Sequence, residues 1–254
     1  MTPAGERTRD LTIGYASLGL FLLSVGILIW FLMAGVDRGA EDTADLLERS
    51  LFSATGGRGD ARATFNVLLV LAWGWLHSVL ARPRVKATLA RRIPAHLDAA
   101  FYALVASAGL ILVCLLYRPI PRVVYVLEGG PALLTRLLFW GGWVLFAWCW
   151  LHIDLLDVVG LRPILRRRDG SAPPPADFRP GGPFLWVRHP VELAFLIAFW
   201  AAPMMTTGHL LFAAVMTLYT FLGIDLEDRR MLASRGPEYL EYVRRVPQIF
   251  PYPR

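Results

Sequence analysis

Five stretches of this chain run without Asp, Glu, Lys or Arg, and they decide its class. Leu11–Gly35 covers 25 residues, Ala63–Ala81 and Ala99–Tyr117 cover 19 each, Leu137–Ile153 covers 17 and Leu193–Ile224 covers 32. A bilayer core about 30 Å thick takes about 20 apolar residues per helix. The blocks predict an all-α, polytopic integral membrane protein. The last block is too long for one straight span, and Pro203 and Gly208 within "APMMTTGH" (202–209) disfavour an unbroken helix there. We expect four spans plus a C-terminal helical hairpin, five to six membrane helices in all, and then a cytoplasmic C-terminal helix. A single kinked, tilted helix is the alternative for the last block.

Arginine and lysine placement gives the orientation. With the hairpin, residues 1–10, 82–98, 154–192 and 225–254 share one side and carry 19 of the 26 Lys and Arg. The opposite side, residues 36–62 and 118–136, carries 7. By the positive-inside rule both termini are cytoplasmic, in what is expected to be a bacterial inner membrane. The net charge of +6 then reflects topology and attraction to lipid headgroups rather than nucleic-acid binding. The first block is too long for a signal-peptide core and is read as a retained helix. Cys114 and Cys149 both fall inside spans and are expected as packed thiols. The segment 166–183, "RRRDGSAPPPADFRPGGP", has the composition of an irregular linker. The whole chain, 1–254, is expected to form a single membrane domain: a first helix and loop (1–62), three central helices (63–165) and a C-terminal site-bearing part (166–254).

That linker delivers the chain to "LWVRHPVELAFLIAFW" (185–200). Pro190 suits a first helical turn, which sets Arg188 and His189 at a helix N-terminus on the cytoplasmic border. Backbone N–H groups, the helix dipole and a guanidinium together favour an anion. After the hairpin, Asp225, Glu227 and Asp228 gather where the chain leaves the bilayer, followed by a helix carrying Tyr239 and Tyr242 and ending before Pro247. The returning hairpin turns this acidic group toward the Arg-His-Pro group. One end suits a carboxylate and the other an ammonium, as in a zwitterionic amino-acid moiety. The five histidines form no HxxxH pair and the cysteines no CxxC, so no metal site is expected.

Arg188-His189-Pro190, the apolar hairpin, Glu227-Asp228, Gly236, Tyr239, Tyr242 and Val246-Pro247 resemble, in that order, the isoprenylcysteine carboxyl methyltransferase superfamily. "LIAFWAAPMMTTGHLLFA" (196–213), "HSVLARPRVK" (77–86), "YRPIPRVVY" (117–125) and "DVVGLR" (157–162) are similar to its methanethiol S-methyltransferase branch. The resemblance implies an enzyme that uses S-adenosyl-L-methionine to methylate a small thiol, methanethiol, giving dimethyl sulfide. It implies that His189, Pro190 and Val191 line the amino-acid end of the cofactor, that Glu227 takes its ammonium, and that the stretch Phe178 to Phe184 walls the adenosine. Arg188 at the helix start and Glu192, an acid able to hold an ammonium or a sulfonium, are expected beside them. His189, Glu192 and His152 are the candidates for removing the thiol proton.

The chain departs from the resembled pattern at several positions. Glu192 and Ala194 stand where the motif has tyrosine and glycine, Phe184 where a tyrosine is usual, and Leu155 where a histidine is often found. Gly223 stands where the prenylcysteine enzymes carry an arginine for the substrate carboxylate, which favours an uncharged acceptor. Two other readings share these residues: a methyltransferase of the same fold acting on a lipid or isoprenoid-like acceptor, and a non-catalytic, NnrU-like membrane protein.

Overall fold

A computed structural model describes residues 3–37, 58–172 and 178–250. Its elements in order are α1 (Pro3–Trp30), α2 (Arg58–Leu80), α3 (Pro83–Leu89), α4 (Asp98–Leu116), β1 (Val123–Val126), α5 (Gly129–Trp150), α6 (Leu155–Val158), α7 (Leu161–Asp169), α8 (Pro190–Trp200), β2 (Met204–Thr206), α9 (Thr207–Arg235) and α10 (Pro237–Arg245). Helices α1, α2, α4, α5 and α9 are each long and apolar enough to cross a membrane, and α8 is apolar but shorter. Trp75, Val144, Leu151, Leu218 and Leu222 all stand exposed on these helices or at their ends. Large apolar side chains turned outward are what a lipid-embedded surface requires. The protein is a polytopic α-helical membrane protein.

The chain divides into two compact units. The first comprises Met1–Phe31, Leu71–Tyr117 and Asp154–Ala176. Its core sets α1 against α4 and α7: Leu97, Ala100 and Ile164 pack with Leu11 and Ile13, and Ala103, Val159 and Leu161 pack with Leu18 and Phe21. Ser17 on α1 donates to Val159 O at 2.8 Å, giving a buried hydroxyl its partner. Gly160, the glycine of "DVVGLR", has φ +79°, and a Cβ there would lie 2.1 Å from Ala100 N. No other residue fits that turn.

The second unit comprises Leu32–Val70, Arg118–Ile153 and Asp177–Arg254. Here α5 lies along α8, with Phe139, Trp143, Phe146, Phe195, Phe199 and Phe212 joined by edge-to-face, tilted and stacked ring contacts. The two helices approach closely at Gly142, where an added Cβ would come 3.0 Å from Ala194 O and 3.2 Å from Ile197.

The last apolar block is a true hairpin. The chain leaves helix at Ala201, and α9 returns antiparallel to α8: Trp200 Nε1 donates to Thr217 Oγ1 at 2.9 Å, while Leu196 packs on Ile224. The turn is fastened by a short antiparallel pair, with Val123 opposite Thr206, Tyr125 opposite Met205 and Val126 opposite Met204. Beyond it His209 Nδ1 meets Asp37 Oδ2 and Nε2 meets Phe199 O, each at 3.0 Å, and Thr206 donates to Asp37 Oδ1 at 2.6 Å.

Three boundaries differ from the sequence expectation. α5 begins at Gly129 rather than Leu137, so Arg136 lies within it and points outward; a charge ends an apolar block but not a backbone helix. α9 continues eleven residues past Ile224, so Asp225, Glu227 and Asp228 are still helical. The linker expected from residue 166 starts later, because α7 runs to Asp169 and stops at Gly170 with φ +69°, a left-handed C-cap. A 3-10 turn, Gly182–Leu185, then precedes α8. Residues 173–177 of that linker lie outside the described residues.

Candidate active site

Four segments of the second unit build the site: residues 178–187, the start of α8, the end of α9, and α10 with the chain after it. His189 is the N-cap of α8 and Pro190 its first residue. Arg188 N donates to Pro247 O at 2.8 Å and His189 N to Gln248 O at 3.1 Å. These bonds lay the chain after α10 along the approach to α8. They also occupy the Arg188 and His189 backbone N–H groups, and Pro190 has none to give.

Asp228 is the hub. Its buried carboxylate accepts from four side chains: Arg188 Nη2 at 2.8 Å, His189 Nε2 at 2.8 Å, Tyr239 OH at 2.6 Å and Gln248 Nε2 at 3.0 Å. Arg188 also donates through Nη1 to Val246 O at 2.7 Å, while its Nε is buried with no partner among the described residues. A buried carboxylate that answers an arginine with further donors in place meets the condition under which buried charge is tolerated. The other two acids turn elsewhere: Asp225 pairs with Arg229 at 2.8 Å, and Glu227, 43% exposed, lies 3.6 Å from Arg230.

The tyrosines brace the far side. Tyr242 OH donates to Phe184 O at 2.6 Å, and Phe178 meets the rings of Tyr239 and Tyr242 edge-on at 5.5 and 5.1 Å. Burial pushes the Tyr242 phenol up to about 12, and burial together with the Asp228 carboxylate raises Tyr239 further, so both act as neutral donors.

A second cluster adjoins the hub. His189, Glu192 and Glu227 each bring one acceptor atom to within 4.8 Å of the others, with His189 Nδ1 3.9 Å from Glu192 Oε2. His189 gives its Nε2 proton to Asp228, which leaves Nδ1 to accept. Three acceptors so placed suit one cation. They come from two helices, so no local HxxxH-type spacing announces them.

Among the residues singled out from the sequence, His189, Glu192 and Glu227 therefore converge, and Arg188 joins them through Asp228. Pro190 is buried and Val191 partly buried in the first turn of α8. Phe184 and Phe178 stand on the tyrosine side. His152 is not in this cluster: it stands exposed at the end of α5, edge-on to Trp148 and against Gly181 and Gly182 of the 178–187 segment. The sequence reading named Asp228 without its role and missed Gln248. Phe212, Ala213, Met216, Thr220, Ile224 and Asp228 form the buried face of α9. That helical period is the signal that turns Asp228, rather than Glu227, inward.

Comparison with known proteins sets the site in context. The chain is 37% identical over 190 residues to methanethiol S-methyltransferase 1 of Bradyrhizobium diazoefficiens, covering 74% of this chain and 67% of that one. It is 32% identical over 248 residues to the methanethiol S-methyltransferase of Mycobacterium tuberculosis, covering 96% of this chain and 98% of the relative. Nurim of Sus scrofa is 30% identical over 199 residues, 71% of this chain and 76% of that one. No protein-family model matches, and no solved structure does. Similarity that runs end to end, through both units and every segment of the site, places the chain in the methanethiol S-methyltransferase family.

Proposed function

We propose that the protein is an S-adenosyl-L-methionine-dependent methyltransferase that converts methanethiol to dimethyl sulfide. The observation that carries this reading is the match to the Mycobacterium tuberculosis methanethiol S-methyltransferase over 96% of this chain and 98% of that relative. The site's chemistry agrees with it. A zwitterionic amino-acid tail needs acceptors for an ammonium and a donor for a carboxylate. Glu227 and His189 Nδ1 supply the first, and the unpartnered, buried Arg188 Nε supplies the second. Phe178 and Phe184 offer apolar surface on the tyrosine side for a purine. When bound, the cofactor supplies a methyl group already activated on a sulfonium.

The protein's own contribution is to hold and to shield. The Asp228 hub holds the His189 ring through Oδ1 and the Arg188 guanidinium through Oδ2, which fixes both before a ligand binds. The rings of Phe195 and Phe199 on α8 pack with Trp143 and Phe146 of α5 and keep that side of the helix apolar. Gly223, one turn before Glu227, offers no charge, and a Cβ there would meet nothing within 4 Å. A small neutral acceptor needs no ionic partner at that point. We place the site at the cytoplasmic face of a bacterial inner membrane, with both termini on that side, on the strength of the 19-to-7 division of Lys and Arg.

The test is headspace gas chromatography on a host expressing the protein and fed methanethiol, beside a Glu227→Ala variant of equal membrane abundance. Dimethyl sulfide from the wild type, with little from the variant, is the expected outcome. Absence of product from well-expressed wild type removes methanethiol as the acceptor.

A further inference from the structure

Four groups at the site can take a proton, and three of them are already engaged. Asp228 is saturated by Arg188, His189, Tyr239 and Gln248. His189 gives Nε2 to Asp228, and its Nδ1 belongs to the cation cluster. Glu227 stands 43% exposed beside Arg230. Glu192 shares that cation cluster, its Oε2 3.9 Å from His189 Nδ1, but no arginine or lysine among the described residues forms an ion pair with it, and its side chain is 29% exposed. It sits one turn beyond His189, where α8 enters its apolar run. The groups facing it are His189 on its own helix, Glu227 and Asp228 from α9, and the buried Cys149 thiol from α5.

We infer that Glu192 is the proton acceptor for the thiol substrate, an inference that rests on the methyltransferase reading above. The thiol S–H bond breaks and its proton passes to the Glu192 carboxylate. The sulfur lone pair forms the new S–C bond as the C–S bond of the donor sulfonium breaks, and that electron pair returns to the donor sulfur. Two neutral thioethers and one protonated Glu192 result. The Glu192 side chain, 29% exposed, then releases the proton to water.

The experiment separates proton transfer from cofactor holding by changing the acceptor. Methanethiol is compared with methaneselenol, generated by reducing dimethyl diselenide, in wild type, Glu192→Gln and Glu192→Asp. A selenol is ionised at neutral pH and needs no base. The expected result is that Glu192→Gln lowers kcat/KM for methanethiol about 100-fold but for methaneselenol less than about 5-fold, since a positioned base contributes roughly 10²-fold or more. Calorimetric binding of S-adenosylhomocysteine to the purified variant stays near the wild-type value, and Glu192→Asp recovers part of the thiol activity.

Equal losses for both acceptors, or cofactor binding weakened in proportion to the lost activity, overturn the inference and make Glu192 a cofactor ligand. Undiminished thiol turnover overturns it as well. If Glu192→Gln does not accumulate in the membrane, Glu192→Asp decides: a deficit larger for the thiol than for the selenol supports the role, and equal deficits refute it. A wild type that methylates neither acceptor removes the function itself, and the inference with it.

Discussion

At Asp228 a single carboxylate gathers donors from the approach to α8, from α10 and from the chain beyond it. Removing it leaves the buried Arg188 without its counter-charge and the His189 Nε2–H without its acceptor. Asp228→Ala is therefore expected to cost about 3–5 kcal/mol, enough to deplete the protein from membranes, whereas Tyr239→Phe removes one neutral donor and costs about 1 kcal/mol. Membrane abundance and thermal unfolding in detergent check both. The sequence showed that a basic and an acidic group lie near each other, but not which acid is the partner. Composition treats Asp225, Glu227 and Asp228 alike, and only the side of α9 on which each falls separates them. Gln248 was out of reach because it joins the site through an irregular stretch that no periodicity describes.

Among the elements, the hairpin was legible because Pro203 and Gly208 interrupt an apolar run too long for one span. The β1–β2 pair was not: strands of four and three residues are set by a register with a distant partner and leave little local pattern. The seam between α5 and α8 yields a sharp test. At Gly142 a side chain would press on the Ala194 carbonyl and Ile197, while at the adjacent Gly141 an added Cβ meets nothing within 4 Å. Gly142→Val is expected to destabilise by about 1–3 kcal/mol through overpacking and to lower the melting temperature, with Gly141→Val close to wild type. Equal melting temperatures for the two variants would show that the seam yields instead of straining.

For the molecule as a whole, the five charge-free blocks correspond to the five long helices and the short α8, because bilayer thickness is a constraint the sequence must meet locally. Arginine distribution extends this to orientation. A fluorescent protein fused after Arg254, of a kind that matures only in the cytoplasm, is expected to fluoresce, and a dark fusion of normal abundance would invert the topology. What the sequence could not show was the grouping of α1, α4 and α7 into one unit and α5, α8, α9 and α10 into another. That grouping depends on contacts between segments far apart along the chain.

The Asp37–His209 contact joins residues separated by 172 positions. Asp37 is made early and its partner late, after most of the chain has left the ribosome. Until the final hairpin is inserted, this carboxylate has neither the His209 ring nor the Thr206 hydroxyl to answer it, and its segment must stay hydrated. The contact therefore closes only when the last hairpin is in place: a chain that stalls before it leaves Asp37 without both of these partners.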